Sequence, residues 1–388
     1  MSEIRIGVIG VGARSRLALH AQQLGGKITA AVDPSPQGPQ RLAQRLGADI
    51  PLYHTTGEAI AAGIDAAFVT SPDDTHAEIT CELLTAGVPV YLEKPIAITT
   101  QSADQVLQTA FETGTKLYVG HNMRHMSVVR LMHELIQKGT IGQVKAIWTR
   151  HFVGHGGDYY FKDWHATREH GTGLLLQKGA HDIDVMHWLA GSQTREVTAM
   201  GDLMVYDKIT DRADNSASLM GDWFDMSVYP PAKQRGLNPV IDVEDISMML
   251  MRMDSGVLGS YQQCHFTPDY WRNYTVIGDE GRLENFGDSE GGVVKVWNRR
   301  SDWRAEADLE FPIIGDAGGH GDADVLTVGE FMRFITEGGP TDTNPLSARD
   351  SVAAGIAATE SLRNGSIPVH IPELSSEVAA YFRSHQQR

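Results

Sequence analysis

A doubly wound parallel α/β sheet, followed by an α+β domain with a large, open, mostly antiparallel sheet, is the fold class this sequence predicts. Three observations predict it. In the first third, short apolar runs (Ile4–Ile9, Ile28–Val32, Ala66–Thr70, Val88–Leu92, Leu117–Val119) alternate with helical stretches, the rhythm of strands joined by crossover helices. After residue 140 the texture changes to consecutive strand-like runs broken by turns, which is the pattern of an antiparallel or mixed sheet. With 388 residues, the chain is also too long for one ordinary core. The expected division is 1–122 and 123–388.

The elements follow in order. Ile4–Ile9 is a buried strand, and Gly10-Val11-Gly12-Ala13-Arg14-Ser15 follows it directly. Leu17, Leu19 and Leu24 mark a helix stopped by Gly25-Gly26, and Ile28–Val32 is a second strand delivering Asp33, 21 residues after Gly12. This layout fits a dinucleotide: glycines admit a pyrophosphate, the helix start offers N–H donors, and the carboxylate takes the ribose hydroxyls. Gly10, Gly12, Ala13, Arg14 and Asp33 are therefore cofactor-binding candidates. Ser15 stands at the third glycine position, so the helix there is expected to pack more loosely. Asp33 would repel a 2′-phosphate and Pro34-Ser35-Pro36 offers no arginine, so NAD is favoured over NADP; Arg14 and Arg41 are the residues able to reverse this.

The strand–helix pattern then repeats. Ala66–Thr70 leads into the turn Ser71-Pro72-Asp73-Asp74-Thr75-His76, and 77–86 is a helix stopped by Gly87. Ser71 and Pro72 join the cofactor candidates. His76 either approaches the nicotinamide end or sits in the first turn of its helix. Val88, Val90 and Leu92 form a buried strand that delivers Glu93, Lys94 and Pro95 at its carboxyl end, where open α/β sheets bind ligands. Pro95 restricts Lys94 to extended conformations, with a cis bond available to it. A helix over 102–113 and the strand Leu117–Val119 complete the first domain.

The second domain opens with an amphipathic helix over 127–137, carrying Val128, Leu131, Leu135 and Ile136 inward. Strand-like runs follow at 144–152, 196–205, 246–253, 257–264, 274–277 and 293–297, with Asp254-Ser255-Gly256 as a hairpin turn. Helices around 331–335 and 352–362 close the chain. Leu174-Leu175-Leu176 is a buried run before Gln177-Lys178-Gly179-Ala180-His181, which places His181 in a first helical turn. The dipole there, with Lys94 and Lys178 as cations, would keep the imidazole neutral, as a general base for alcohol oxidation must be. Lys178 and Asp182 are reserve bases. Tyr159, Tyr160, Trp164 and His165 either wall a carbohydrate pocket or pack a domain boundary. The loop Gly318-Gly319-His320-Gly321-Asp322 either reaches the site or caps the following helix.

The motifs just described make the chain resemble the glucose–fructose oxidoreductase / inositol dehydrogenase / rhizopine-catabolism family of sugar and polyol dehydrogenases. The resemblance rests on the opening G-V-I-G-V-G, S-P-D-D-T-H at 71–76, E-K-P at 93–95 and G-H-N-M-R at 120–124. It continues with G-T-G-L-L-L-Q-K-G-A-H-D-I-D at 171–184 and S-L-R-N-G-S-I-P-V at 361–369, in the family's order. It implies that Lys94 and His181 are catalytic. The substrate-contact candidates are Arg124, Gln177, Lys178, Tyr160, Trp164 and His165, with Glu93 and Lys94 as candidates beside the cofactor. The family commonly carries an Asp four residues before the histidine; this chain has Gln177, which binds a hydroxyl without carrying charge. The resemblance also implies a sheet face packed on another subunit, hence a homodimer or homotetramer.

Bulk composition narrows the classes. The net charge is −16, from 33 basic and 49 acidic residues, which disfavours nucleic acid or an anionic membrane as partner. Cys81 and Cys264 are the two cysteines, too few for a disulfide framework or a thiolate metal site. Sixteen histidines are present, including His151, His155, His165, His170 and His187 near the site, but their spacing shows no metal triad, and no metal is expected. No apolar run reaches 18 residues and no signal peptide is evident, so a cytoplasmic location is expected. The expectation is a dehydrogenase acting with NAD on a secondary hydroxyl of a sugar or cyclitol. Two alternatives stay open: glycoside cleavage by transient oxidation with tightly held NAD, and a non-catalytic sugar or dinucleotide sensor.

Overall fold

A computed structural model describes residues 3–315 and 321–387. The chain forms two compact units, one of Met1–Asn122, Asp324–Val352 and Pro372–Arg388, the other of Met123–Ala323 and Ala353–Ile371. The expected cut at 122 therefore marks where the first unit is left, but two later stretches return to it. Sequence gives no warning of this, because a returning helix carries the same periodicity wherever it docks.

In the first unit the strands β1 (Ile4–Ile9), β2 (Gly26–Val32), β3 (Leu52–Tyr53), β4 (Ala66–Val69), β5 (Val90–Leu92) and β6 (Leu117–Val119) form one parallel sheet in the order β3-β2-β1-β4-β5-β6. The order reverses between β1 and β4, the position where such sheets open a crevice at their carboxyl ends. β1, β4 and β5 are apolar and buried almost throughout, as strands covered on both faces must be. Local chemistry sets the helix ends: Thr55 and Glu58 form a reciprocal capping box, and Thr99 caps 100–113, which stops at Gly114 in the left-handed region (φ 70°). Phe331, from the returning helix, packs edge-on against Phe68 and Tyr91.

In the second unit β7 (Val144–Phe152), β8 (Thr194–Asp202), β9 (Ile246–Met253), β10 (Leu258–Cys264), β11 (Trp271–Gly278), β12 (Arg282–Phe286), β13 (Val293–Trp297), β14 (Leu309–Pro312) and β15 (Val369–His370) form one sheet. Its order is β14-β13-β12-β11-β7-β10-β9-β8-β15, and every pairing is antiparallel except β7 with β10. One face alternates into a core with Met249, Met251, Tyr261, Tyr274 and Val276, against the helices 127–137 and 179–190. The other leaves Trp148, Met200, Met248, Leu250 and Leu258 about half exposed or more. Between β8 and β9 the chain makes a long excursion, 203–245, whose Tyr206, Ile209, Leu237 and Val243 build a small core with Val153, Tyr160, Phe161 and Leu174. Among the described residues no helix is long and apolar enough to cross a membrane.

Candidate functional site

Four strand ends of the first unit carry the cofactor candidates. Gly10 follows β1 at φ 92°, and a Cβ there would lie 2.5 Å from the backbone of Ser71, so only glycine fits beneath the β4 loop. Thr70 Oγ1 donates to Gly10 O (2.6 Å), tying the two loops. Gly12 differs: a Cβ there would meet only Thr70 O at 3.6 Å, so the protein itself does not demand glycine. Ser15 is fully buried and donates to Gly12 O (2.9 Å), and the helix begins as a 3₁₀ turn over Ser15–Leu17. The looser packing expected at this position is thus replaced by a serine that closes the loop itself. Ala13 accepts at its carbonyl from Arg45 (3.4 Å).

Asp33 ends β2, buried, accepting from the Ser35 N–H (2.9 Å), with Arg41 Nη1 4.0 Å from its other oxygen. Arg14, the other residue able to reverse the cofactor preference, is held elsewhere: its guanidinium donates to Glu93 (2.9 Å) and to both oxygens of Asp324 (2.9 Å each). Burial alone would lower its pKa, but Glu93 and Asp324 outweigh that and hold it above its ordinary value. Asp324, which also accepts from Asn122 (2.7 Å), escapes any reading of sequence, since it lies 310 residues from Arg14. Glu93 is buried at the end of β5, accepting from Arg14 and from the Lys94 N–H (3.0 Å). Lys94 is half-buried and its bond to Pro95 is cis. His76 is buried in a clip, with Nδ1 2.7 Å from Pro95 O and Nε2 3.0 Å from Ser71 O. Its ring sits between carbonyls of the loops after β4 and β5 in the first turn of its helix. Pro72 accepts at its carbonyl from Thr75.

The second unit carries the other candidates. A short helix, Leu174–Gln177, breaks at Lys178, and a second runs Gly179–Ala190 to Gly191 in the left-handed region (φ 60°). Gln177 and His181 are buried and Lys178 is half-buried, so His181 lies in the first turn, as read from the sequence. Arg124 donates through Nε and Nη2 to the two oxygens of Asp184 (2.7 Å each), fully inside the unit and beside Trp188. This bidentate grip fixes the 3₁₀ turn 122–125 to the helix 179–190. Tyr160 stands edge-on to His165 and His265, and Trp164 stacks on His165 at 3.6 Å. His165 is also oriented by Asp163, 2.6 Å from its Nδ1. Gly318, Gly319 and His320 lie outside the described residues.

Sequence reading missed the surroundings of Asp182. This carboxylate is fully buried and accepts from Tyr261 (2.9 Å) and Tyr274 (2.5 Å); it also lies 3.1 Å from His151 Nδ1 and 2.9 Å from Arg272 Nε. Burial would raise its pKa, but Arg272 and His151 hold it below the usual carboxylate range. Burial and the Arg272 charge push His151 down to about 3, so its ring is neutral and donates from Nδ1 to Asp182. Burial pushes His265 well below its ordinary value too. Asp182, expected as a reserve base, has both carboxylate oxygens engaged by buried side chains of the same unit. The missed signal was strand phase: Arg272 alternates with Tyr274 and Val276 on the inward face of β11. Among the described residues no cluster of three His, Cys, Asp or Glu is placed to hold a metal ion.

A parallel sheet with a glycine turn at its switch point and a carboxylate ending β2 defines a dinucleotide-binding protein, here joined to a second unit on a mixed sheet. Residues 4–121 match the oxidoreductase family with an NAD-binding Rossmann fold, and 129–284 match the GFO/IDH/MocA C-terminal domain. The chain belongs to this Gfo/Idh/MocA family of NAD-binding oxidoreductases. It is 26% identical over 256 residues to YteT of Bacillus subtilis (strain 168), covering 57% of this chain and 60% of that protein. It is also 26% identical over 371 residues to the myo-inositol dehydrogenase Hyg17 of Streptomyces leeuwenhoekii, covering 94% of this chain and 99% of Hyg17. In fold it matches myo-inositol 2-dehydrogenase from Lactobacillus plantarum with a TM-score of 0.73 at 18% identity, over 96% of this chain and all of that one.

Proposed function

We propose that this oxidoreductase is an NAD-dependent dehydrogenase of a secondary hydroxyl on a sugar, sugar derivative or cyclitol. The observation that carries the reading is the contrast between Gly10 and Gly12. Gly10 is explained by the protein's own packing, whereas the space at Gly12 stays open, as a turn that must admit a pyrophosphate requires. In this reading the first unit holds the dinucleotide and the second the substrate. Gly12, Ala13 and Ser71 line the phosphates, and Asp33 receives the ribose diol. Arg14 is tied to Glu93 and Asp324, which supports NAD over NADP. NAD, when bound, supplies the acceptor for the hydride leaving the carbinol carbon. His181 takes the hydroxyl proton as general base, and Lys94 donates a hydrogen bond to the same oxygen as negative charge grows there. Gln177 and Lys178 orient neighbouring hydroxyls, with the ring faces of Tyr160, Trp164 and His165 as walls. The substrate class is supported by the names of Hyg17 and the Lactobacillus enzyme.

A screen of monosaccharides, cyclitols and glycosides, followed by NADH absorbance with NADP alongside, tests this. The expected result is NADH formation with a polyol or sugar, NAD preferred about tenfold, a gap of roughly 1.4 kcal/mol. Lys94→Ala and His181→Ala should each lower turnover about 10²–10⁴-fold while still binding NAD. A His181→Ala enzyme above about a tenth of the wild-type rate would overturn the base assignment. Retained NAD with glycoside cleavage and no net NADH would instead favour transient oxidation.

The outer sheet face supports a second proposal, that the protein is a homodimer or a tetramer of dimers joined there. Trp148 and Leu250 lie in one row across β7, β10 and β9, both more than half exposed. Light scattering at micromolar concentration should give two or four chain masses, and Trp148→Glu with Leu250→Glu should give one. A monomeric wild type would sink this.

A further inference from the structure

We propose that Asp182 is the positioning residue for His181, anchoring the first turn of the helix 179–190 to three strands so that the neighbouring imidazole holds one orientation. The proposal rests on the reading of His181 as the base and deepens it.

Asp182 is a charged residue at an apolar position of its helix. Asp182, Val185, Met186 and Leu189 fall at i, i+3, i+4 and i+7, one stripe of the helix, and the last three are buried in the core. An apolar side chain is what that stripe asks for at 182. The sheet beneath is built to receive a carboxylate instead. Strand register puts Tyr261, Thr149 and Tyr274 in one row across β10, β7 and β11, and Gln263, His151 and Arg272 in the next row along the same inward face. Asp182 takes bonds from both rows. Oδ2 accepts from Tyr261 and from the His151 Nδ1–H, Oδ1 accepts from Tyr274, and the Arg272 guanidinium pairs ionically with Oδ1 at 2.9 Å. The array continues outward: Gln263 donates to Ser247 of β9 (2.9 Å), and Arg272 donates to Tyr270 (3.0 Å). All of these side chains but Tyr270 are buried, so they are held by neighbours rather than by solvent.

Stability does not account for such a cluster, because a buried ion pair is often no better than well-packed apolar residues of the same volume. What three converging donors and one ion pair supply is position. They fix the carboxylate in its plane, and through it the backbone of residue 182, in both translation and rotation. His181 is the next residue along that backbone. A base must meet its proton within a few tenths of an ångström, and a displacement of about 1 Å can lower rate about 10²-fold.

The test compares Asp182→Asn, the double variant Tyr261→Phe/Tyr274→Phe, His181→Ala and, as a destabilised control in the same unit, Val296→Ala. The Tyr pair keeps every ring and the Asp182–Arg272 pair, so it stays folded if Asp182→Asn does not. Protein labelled with ¹³C at histidine Cε1 is observed by NMR, with the His181 signal assigned by its loss in His181→Ala. One narrow His181 resonance is expected in wild type and in Val296→Ala, and a broadened or split one in Asp182→Asn and the Tyr pair. Single-turnover NADH formation is followed with saturating NAD and myo-inositol; if myo-inositol is not oxidised, the NMR arm decides alone. The expected rate loss is about 10²-fold in the anchor variants, with KM changed less than about threefold. A His181 signal and rate that stay at wild-type values in both anchor variants, or that change equally in Val296→Ala, would overturn the proposal. A His181→Ala enzyme of normal rate would overturn the base assignment instead, and the NMR result would still decide whether Asp182 orients that ring.

Discussion

The two units handle charge in opposite ways. In the first, the ion pairs gather at strand ends and the surface: Arg14 with Glu93 and Asp324, Arg41 near Asp33, and Arg5 with Asp65 in the open. Buried Arg349 reaches out to Asp104, which is itself about a third exposed. The sheet between them is apolar. The second unit puts Arg124–Asp184, Arg272–Asp182 and Lys162–Asp158 inside, each partner less than a tenth exposed. The cause lies in sheet geometry. A parallel sheet offers its chemistry at the carboxyl ends of strands, where loops and backbone N–H groups do the binding, so its interior can stay dry. A broad antiparallel face offers rows of side chains, and anything it orients must be held by side chains within those rows.

The sharpest way to break this contrast is to remove one charge from each kind of pair. Arg124→Met leaves Asp184 buried without its bidentate partner and should lower unfolding free energy by about 3–5 kcal/mol. Adding Asp184→Leu should restore much of that loss, because an apolar pair of similar volume carries no uncompensated charge. Arg5→Ala, at an exposed pair in the first unit, should be nearly silent. Urea unfolding of all four proteins measures it. Equal losses for Arg124→Met and Arg5→Ala would mean that water reaches the Arg124 site.

The same contrast explains how much was legible beforehand. Gly10, Gly12 and Asp33 were readable as a strand–turn–helix–strand unit because a backbone that must turn, at φ 92° under the Ser71 loop, restricts residues within a short local window. The strands Ile4–Ile9, Val144–Phe152, Ile246–Met253 and Val293–Trp297 were readable because alternation or continuous apolarity is also local. β3, β14 and β15 were not, being two to four residues long with little pattern. The strand β12 was missed although its Leu283 and Asn285 point inward, because Glu284 between them and Asn285 itself are polar and leave no apolar run. The excursion 203–245 carries no periodicity, and its small core exists only once Tyr206 meets Phe161. His181 and Gln177 came from a resemblance rather than from pattern. The Asp182 array was hidden because its partners are 31 to 92 residues away, and no local rule couples positions across three strands. Asp324 was hidden for the same reason at greater range.

A further expected effect is on pH dependence, and it falls on the second unit. Burial pushes His151 to about 3 and His187 to about 4, and His265 is also driven well below its ordinary value. In an unfolded chain each would titrate near 6.5. Between about pH 4 and 6.5 the unfolded state therefore binds more protons than the folded state, and stability falls as the solution is acidified. Each histidine fully inside that window contributes a slope of about 1.4 kcal/mol per pH unit. Asp182 acts in the same direction at lower pH: its depressed pKa stabilises the fold above the ordinary carboxylate range, and that contribution is lost as pH drops through it. Hydrogen exchange read by mass spectrometry at pH 7 and pH 5.5, corrected for intrinsic rates, should show peptides of 144–202 and 246–297 losing protection. His187 is the position at which to check the sign. Its Nε2 accepts from the Thr194 N–H (3.2 Å) and lies 2.6 Å from Thr194 Oγ1, so a glutamine oxygen can take the same bonds without titrating. His187→Gln should flatten the slope between pH 6.5 and 5 by about 1.4 kcal/mol per unit. A slope unchanged by that substitution would show that His187 takes up its proton without leaving the fold.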